Sequence, residues 1–256
     1  QILNSKNTDL AVLGQKIEYQ QIEKIRQLEE EKKRTRTLYI YFALIASLLV
    51  FIVVSFIVYR QYRLTRKEKE RSDKLLLNIL PQQTANELKE YGHTTAKKFE
   101  NATVFFCDIV SFTKIAEMLT PEELVKEIDT YFREFDTIMT KYGVEKIKTI
   151  GDAYMAAGGL NNSSQTAVFD VTNAAFDVLE KVEELKIERD ALKRPAFQIR
   201  VGINTGPVVA GVVGFTKFQY DIWGDAVNTA ARMEQNSEPG KINASQSTYE
   251  LIRDTY

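Results

Sequence analysis

The sequence predicts an α+β fold over residues 99–256: an antiparallel sheet of β-α-β-β-α-β order with helices on one face, the ferredoxin-like split arrangement. Three observations carry this prediction. Short apolar runs with strand composition stand at 102–107, 146–150, 153–157 and 197–204. Two stretches with apolar residues spaced three and four apart separate the first run from the second and the third from the fourth. Turn residues fall at the joints. Ahead of this region the sequence predicts one membrane-spanning helix, 38–59, and a helical connector, 60–98.

Residues 1–37 show helical spacing at Leu10, Leu13, Ile17, Ile22, Ile25 and Leu28 and end in a highly charged stretch. They read as a helical extracytoplasmic stalk leading into a membrane. The chain opens on Gln1 without methionine and stops at Tyr256 just after a helical pattern, so a fragment of a longer protein is expected at both ends. Leu38–Tyr59 is a run of 22 residues without a charge. At ~1.5 Å per residue it spans about the ~30 Å of a hydrocarbon core. Tyr39, Tyr41 and Tyr59 sit near its ends, as interfacial aromatics do. Six basic residues follow it (Arg60, Arg63, Arg66, Lys67, Lys69, Arg71) and four precede it (Lys32, Lys33, Arg34, Arg36). That bias places the C-terminal side in the cytoplasm of a single-pass plasma-membrane protein. In the connector, Leu75, Leu76, Ile79, Leu80 and Leu88 form an apolar seam interrupted by Pro81.

Within 99–256, Ala102–Cys107 reads as a strand. Thr120-Pro121-Glu122-Glu123 reads as a helix start, with Thr120 as N-cap, Pro121 at the first position and Glu123 closing a capping box. Leu124, Ile128, Tyr131, Phe135, Ile138 and Tyr142 line one face of that helix, and Gly143 ends it. Lys146–Ile150 and Ala153–Ala157 form a hairpin through Gly151-Asp152. Ala167, Val171, Ala174, Val178, Val182 and Leu185 mark a second helix. Phe197–Asn204 is a fourth strand, expected to pair with Val208–Val213 across a turn at Thr205-Gly206-Pro207.

Composition excludes several chemistries. Lys and Arg number 34 against 35 Asp and Glu, so no basic field points to nucleic acid. The one cysteine, Cys107, lies in an apolar run and reads as a core thiol, which excludes an internal disulfide and a cysteine zinc site. The one histidine, His93, falls in a polar connector. No Ser-His-Asp or His-metal reading survives.

The chemistry concentrates at two aspartates 44 residues apart, Asp108 and Asp152, each at an apolar strand end. Carboxylates on neighbouring strand ends make an oxygen-rich site for Mg²⁺ or Mn²⁺. After Asp108 the chain runs Ile109-Val110-Ser111-Phe112-Thr113 into a short helix, whose free N–H groups suit a phosphate. Read singly, Asp108 is equally a helix cap and Asp152 a turn residue. Further on, Gly224-Asp225 starts a helix that carries Asn228 and Arg232 four residues apart on one face. Arg supplies a planar fork for phosphate oxygens and Asn can orient a sugar.

Together FFCDIVSFT, KIKTIGDAYMAAGGL, VGINTGPVVAGVVG and YDIWGDAVNTAARME, in that order and spacing, resemble the catalytic domain of the class III adenylate and guanylate cyclases, most closely a membrane-anchored bacterial adenylate cyclase. The resemblance covers about residues 99–256. It implies that Asp108, Asp152 and the Ile109 backbone carbonyl bind two Mg²⁺ or Mn²⁺ ions. It implies that Ser111, Phe112 and Thr113 meet the substrate, that Asn228 orients the ribose and that Arg232 stabilises the transition-state phosphate. Lys148 and Asp221 fall at the two base-selecting positions, where adenylate cyclases typically have Lys with Asp or Thr and guanylate cyclases Glu with Cys. Lys donates to adenine N1 and Asp accepts from the N6 amine, whereas guanine leaves both mismatched. The implied reaction converts ATP to 3′,5′-cyclic AMP and pyrophosphate by attack of the ribose 3′-hydroxyl on the α-phosphorus, with two metal ions assisting and no committed side-chain base. The implied partner is a second copy in a head-to-tail homodimer, one protomer giving the aspartates and the other Lys148, Asp221, Asn228 and Arg232. Membrane helix and connector would then set the orientation of two catalytic domains in response to a signal. Family members continue past the position of Tyr256 with further strands and a triphosphate-binding lysine, so the domain is expected to be truncated. The competing readings are a guanylate cyclase and an inactive cyclase-like dimerisation or nucleotide-sensing module. A diguanylate cyclase would require a Gly-Gly-Asp/Glu hairpin, which the sequence lacks.

Overall fold

A computed structural model of the chain describes residues 2–160, 166–214 and 216–256, with the side chains of 2–13 and 15 left out. The chain divides into two units, Gln1–Lys74 and Leu75–Tyr256.

The first unit is helical from Ile2 on, its residues belonging to α1 (Ile2–Leu77), which is unbroken for 76 residues and ends in the second unit. The charge-free run at 38–59 lies within it and is exposed throughout, with Phe51 at 68% and Leu38 at 57% exposure. A helix packed in the core of a soluble domain would bury such residues. The helix is long and apolar enough to cross a membrane by length and composition. Ser47, a polar residue inside the run, donates its hydroxyl to the Leu44 carbonyl at 2.9 Å, which satisfies it without water.

The second unit begins at Leu75, within the last turn of α1. Pro81, at φ −55° and ψ 148°, breaks the helical path and caps α2 (Gln82–Tyr91), which closes on Gly92 in the left-handed region. Leu80 and Ala85 are buried, with Leu76 and Leu88 packed against them. Leu75 and Ile79, which the sequence pattern placed in the same seam, face solvent at 58% and 62% exposure. Glu87 ties α2 to the sheet by accepting from the Thr95 N–H and hydroxyl at 2.9 and 2.7 Å.

Six strands follow: β1 (Lys97–Ile109), β2 (Glu145–Ile150), β3 (Ala153–Gly158), β4 (Ile199–Val213), β5 (Gln219–Trp223) and β6 (Ile242–Ala244). The sheet order is β2-β3-β1-β4-β5, with β6 parallel to the first part of β4. The first four strands thus keep the split order that the alternation of patterns predicts. Helices α3 (Phe112–Ala116) and α4 (Pro121–Lys141) follow β1, α5 (Ala167–Ala191) follows β3, and α6 (Asp225–Gln235) and α7 (Gln246–Ile252) come last. The capping box of α4 is formed: Thr120 Oγ1 accepts from the Glu123 N–H at 3.3 Å, and Glu123 returns a carboxylate to the Thr120 N–H at 3.0 Å. Such a cap is worth about 1 kcal/mol.

Two expectations are corrected. Helices cover both faces of the sheet, not one. Phe105, Cys107, Val201 and Ile203 face α4 and α5, where Tyr131, Phe135, Val171 and Val178 meet them. Val104, Phe106, Val208 and Ile222 face the opposite way, onto Ala226 and Ala230 of α6 and Leu80 and Ala85 at α2. The physical reason is visible in β1: Ala102–Cys107 is mostly apolar at both odd and even positions, as a strand buried on both faces must be. The second correction concerns Thr205-Gly206-Pro207, which makes no turn. Residues 199–213 run as one strand along the whole of β1. Pro207 is accommodated because the β1–β4 ladder shifts register between Phe99 and Ala102, so the proline lies opposite a bulge where no ladder bond is required. Cys107 is a free, buried thiol, its pKa pushed well up by burial, and His93 is exposed, both as expected.

A cavity of about 320 Å³ lies between α2 and the sheet, lined by Glu145, Tyr220, Phe99 and Thr84 among others. Burial pushes the Glu145 carboxyl up from 4.5 to about 7. Its folded pKa exceeds its unfolded one, so the folded state binds more protons between those values and stability falls as pH rises from about 4.5 to about 7. Glu145→Gln should abolish that fall and stabilise the chain at pH 8, by up to about 3 kcal/mol. Thermal melts at pH 5 and pH 8 measure it.

Candidate active site

Two strand neighbours fix the position of Asp108. In the β1–β4 ladder it pairs with Arg200, and its predecessor Cys107 pairs with Tyr154 of β3. The β2–β3 hairpin turns through Gly151-Asp152 between the paired Ile150 and Ala153. Gly151 takes φ +63° at the first central position, where a side chain would be strained. The hairpin therefore sets Asp152 beside the end of β1. Burial, and then the negative charge of Asp108, raise the Asp152 carboxyl above its usual range. Two like charges held together in this way call for a counter-charge.

Arg200 supplies it. Its Nη2 donates to Asp108 Oδ2 at 2.9 Å and its Nε to Glu234 Oε1 at 2.5 Å. Glu234 belongs to α6 and is buried, and burial raises its carboxyl although Arg200 opposes the shift. Strand and helix approach this closely because residue 202 is glycine: a Cβ there would lie 2.0 Å from the Glu234 backbone nitrogen. Arg200 and Glu234 were not among the residues that sequence reasoning singled out. The available signal was a lone charge, Arg200, within the apolar run 197–204.

The donor set fits a hard divalent cation. Asp108, Asp152 and the Ile109 carbonyl offer oxygen alone, and among the described residues no three His, Cys, Asp or Glu side chains form a closed metal cage. Mg²⁺ is commonly held by one or two carboxylates with water and substrate phosphates completing the shell, and two aspartates match that donor count.

Past Ile109, the Val110 N–H still bonds the Gln198 carbonyl at 2.8 Å, and Ser111 then turns through the left-handed region, φ 56°. Helix α3 begins at Phe112, whose ring packs 6.3 Å from Phe197, so its side chain anchors the turn in the core. Ser111 and Thr113 are exposed. The Lys114 and Ile115 N–H groups bond the Ser111 carbonyl at 3.0 and 3.3 Å, so the first-turn amides at Phe112 and Thr113 are the ones left to a ligand.

Lys148 and Asp221 meet although β2 and β5 stand at opposite ends of the sheet order. Lys148 Nζ lies 2.5 Å from Asp221 Oδ2, while Asp221 Oδ1 accepts the Ile222 N–H at 2.9 Å. The sheet therefore curls until its two edge strands touch. The concave side holds a groove of about 440 Å³ lined by Asp108, Lys148, Asn228, Met155, Ile222 and Arg200 among others. Asn228 is exposed at this groove. Arg232, one turn further along α6, is exposed and does not line it. The structure thus gathers Asp108, Lys148 and Asn228 on one groove and leaves Arg232 facing outward.

Comparison with known proteins identifies the family of the second unit's fold. The family model described as the adenylate and guanylate cyclase catalytic domain matches residues 94–256. An adenylate cyclase of Mycobacterium tuberculosis is 40% identical over 190 residues, covering 74% of this chain and 42% of that protein. A receptor-type guanylate cyclase of Caenorhabditis elegans is 39% identical over 191 residues, covering 74% of this chain and 18% of that protein. The chain therefore spans less than half the length of these curated relatives. Among solved structures, the catalytic core of a rhodopsin-guanylyl cyclase with converted specificity, in complex with ATPαS, superposes with a TM-score of 0.59 at 36% identity, covering 64% of this chain and 86% of that one. Residues 94–256 make this chain a member of the class III adenylate and guanylate cyclase family.

Proposed function

We propose that this chain is a membrane-anchored adenylate cyclase, forming 3′,5′-cyclic AMP and pyrophosphate from ATP. The observation that carries the choice of nucleotide is the Lys148–Asp221 pair. Asp221 is buried and keeps an acceptor oxygen beside a lysine donor, the complement of adenine N6 and N1. Guanine would set its N1–H against the ammonium and its O6 against the carboxylate, leaving buried groups unpaired.

Asn228, exposed at the groove, orients the ribose so that the 3′-hydroxyl lies in line with the α-phosphorus. The Phe112 and Thr113 amides, with Ser111 at the turn, receive phosphate oxygens. Asp108, Asp152 and the Ile109 carbonyl would hold Mg²⁺ or Mn²⁺, which when bound would supply Lewis acidity for phosphoryl transfer. The outward position of Arg232 supports a site completed by a second copy: in a head-to-tail homodimer, Lys148, Asp221, Asn228 and Arg232 of one protomer meet the nucleotide whose phosphates lie at the aspartates of the other. The exposed apolar helix anchors the chain in the plasma membrane, with the cyclase unit in the cytoplasm where ATP is found.

Three outcomes test this reading. With Mn²⁺ and either nucleotide, the chain in detergent should make at least ~10-fold more cyclic AMP from ATP than cyclic GMP from GTP, measured by mass spectrometry. A preference for GTP would refute the assignment. Asp108→Ala and Arg232→Ala proteins, each inactive alone, should regain activity when mixed under conditions of subunit exchange, since one hybrid site then carries both groups. Asp152→Asn should lower turnover by roughly 100-fold or more. The same variant should raise the melting temperature of the metal-free protein at neutral pH, because it removes a carboxylate that the fold holds at a raised pKa.

A further inference from the structure

Glu234 takes no part in the chemistry described above, yet it is a buried carboxylate at the aspartate half of the site. Its side chain is 7% exposed, and the helix that carries it has little freedom. Gly202 sits against its backbone, and Asn243 Nδ2 donates to the neighbouring Met233 carbonyl at 2.9 Å. Its partner is Arg200 Nε, at 2.5 Å. The Nη2 of the same guanidinium reaches Asp108 at 2.9 Å. Nε–H and the adjacent Nη2–H form the edge that elsewhere grips a single carboxylate with two parallel bonds. Here that edge is divided between two carboxylates. Glu234 is not a third metal ligand, since among the described residues no three such side chains group around a cation position.

We infer that Glu234 is a positioning residue for the metal half-site: by holding Arg200 at Nε it limits the guanidinium to one hydrogen bond with Asp108, so that Asp108 can give up that bond to a divalent cation. Without Glu234, Arg200 is free to close both N–H groups on Asp108 and compete with the metal. The inference rests on the cyclase reading of Asp108 as a metal ligand, but not on the choice of ATP over GTP.

Mn²⁺ binding to the full chain in detergent, followed by electron paramagnetic resonance with a saturating unreactive ATP analogue, tests it apart from turnover. Glu234→Gln should bind Mn²⁺ about 10-fold more weakly, as loss of an outer-shell partner does. Glu234→Asp keeps the charge but shortens the arm by one methylene, and it should also bind more weakly. Glu234→Gln combined with Arg200→Gln should recover affinity, because the competitor is gone. Circular dichroism and thermal melts confirm that each variant is folded. Wild-type affinity in a folded Glu234→Asp protein would overturn positioning in favour of charge alone, and wild-type affinity in Glu234→Gln would overturn any role. Mn²⁺ binding that survives Asp108→Asn would overturn the metal half-site together with this inference, whereas an Asp108-dependent signal unchanged by Glu234 substitutions would overturn the inference alone.

Discussion

The register of the β1–β4 ladder is the constraint on which the site depends. It pairs Asp108 with Arg200, and it holds from Ile109↔Ile199 back to Ala102↔Gly206 before the bulge. A slip of one residue would send Arg200 to the opposite face and put Val201 or Ile199 in its place. The register is itself over-determined. Phe105, Cys107, Val201 and Ile203 must reach the core beneath α4 and α5, while Val104 and Phe106 reach the one beneath α6. Packing on both faces therefore specifies an electrostatic contact at the strand end. β3, bonded to the other side of β1, brings Asp152 to the same point.

The site stores unfavourable electrostatics within this frame. Asp108 and Asp152 are neighbours of like charge, and Glu234 adds a third carboxylate against the single guanidinium of Arg200. A chain selected for stability alone would not hold three carboxylates near one arginine. A chain that binds a divalent cation and a polyphosphate benefits from such a cluster, because the cation relieves the repulsion when it binds. The curl of the sheet is a second consequence of the same frame. It brings edge strand to edge strand, joins Lys148 to Asp221, and forms the groove on which Asp108 and Asn228 open.

Much of this was legible in the sequence where the signal was local. The capping box at Thr120, the periodic face from Leu124 to Tyr142 and the Gly151-Asp152 hairpin are short-range patterns, and each formed as read. The adjacency of Asp108 and Asp152 followed from strand order once the split arrangement was recognised. What escaped was long-range. Thr205-Gly206-Pro207 has the composition of a turn, and only the bulge at Glu100–Asn101 in the partner strand explains how a proline sits in a continuous β4. The covering of the second face required knowing where the small residues Ala226 and Ala230 would dock. Arg200 and Glu234 are 34 residues apart and belong to different elements, so no local pattern links them.

A metal–nucleotide complex is proposed to bind between two copies of the chain, with the metal at Asp108 and Asp152 of one and the base at the Lys148–Asp221 pair of the other. Diffraction from crystals grown with Mn²⁺ and an unreactive ATP analogue, recorded at the manganese edge, measures this directly. The anomalous map should place manganese within bonding distance of Asp108 and Asp152, with adenine N1 and N6 facing a Lys148–Asp221 pair. A manganese peak away from both aspartates, or a base bound elsewhere than at Lys148 and Asp221, would contradict the account.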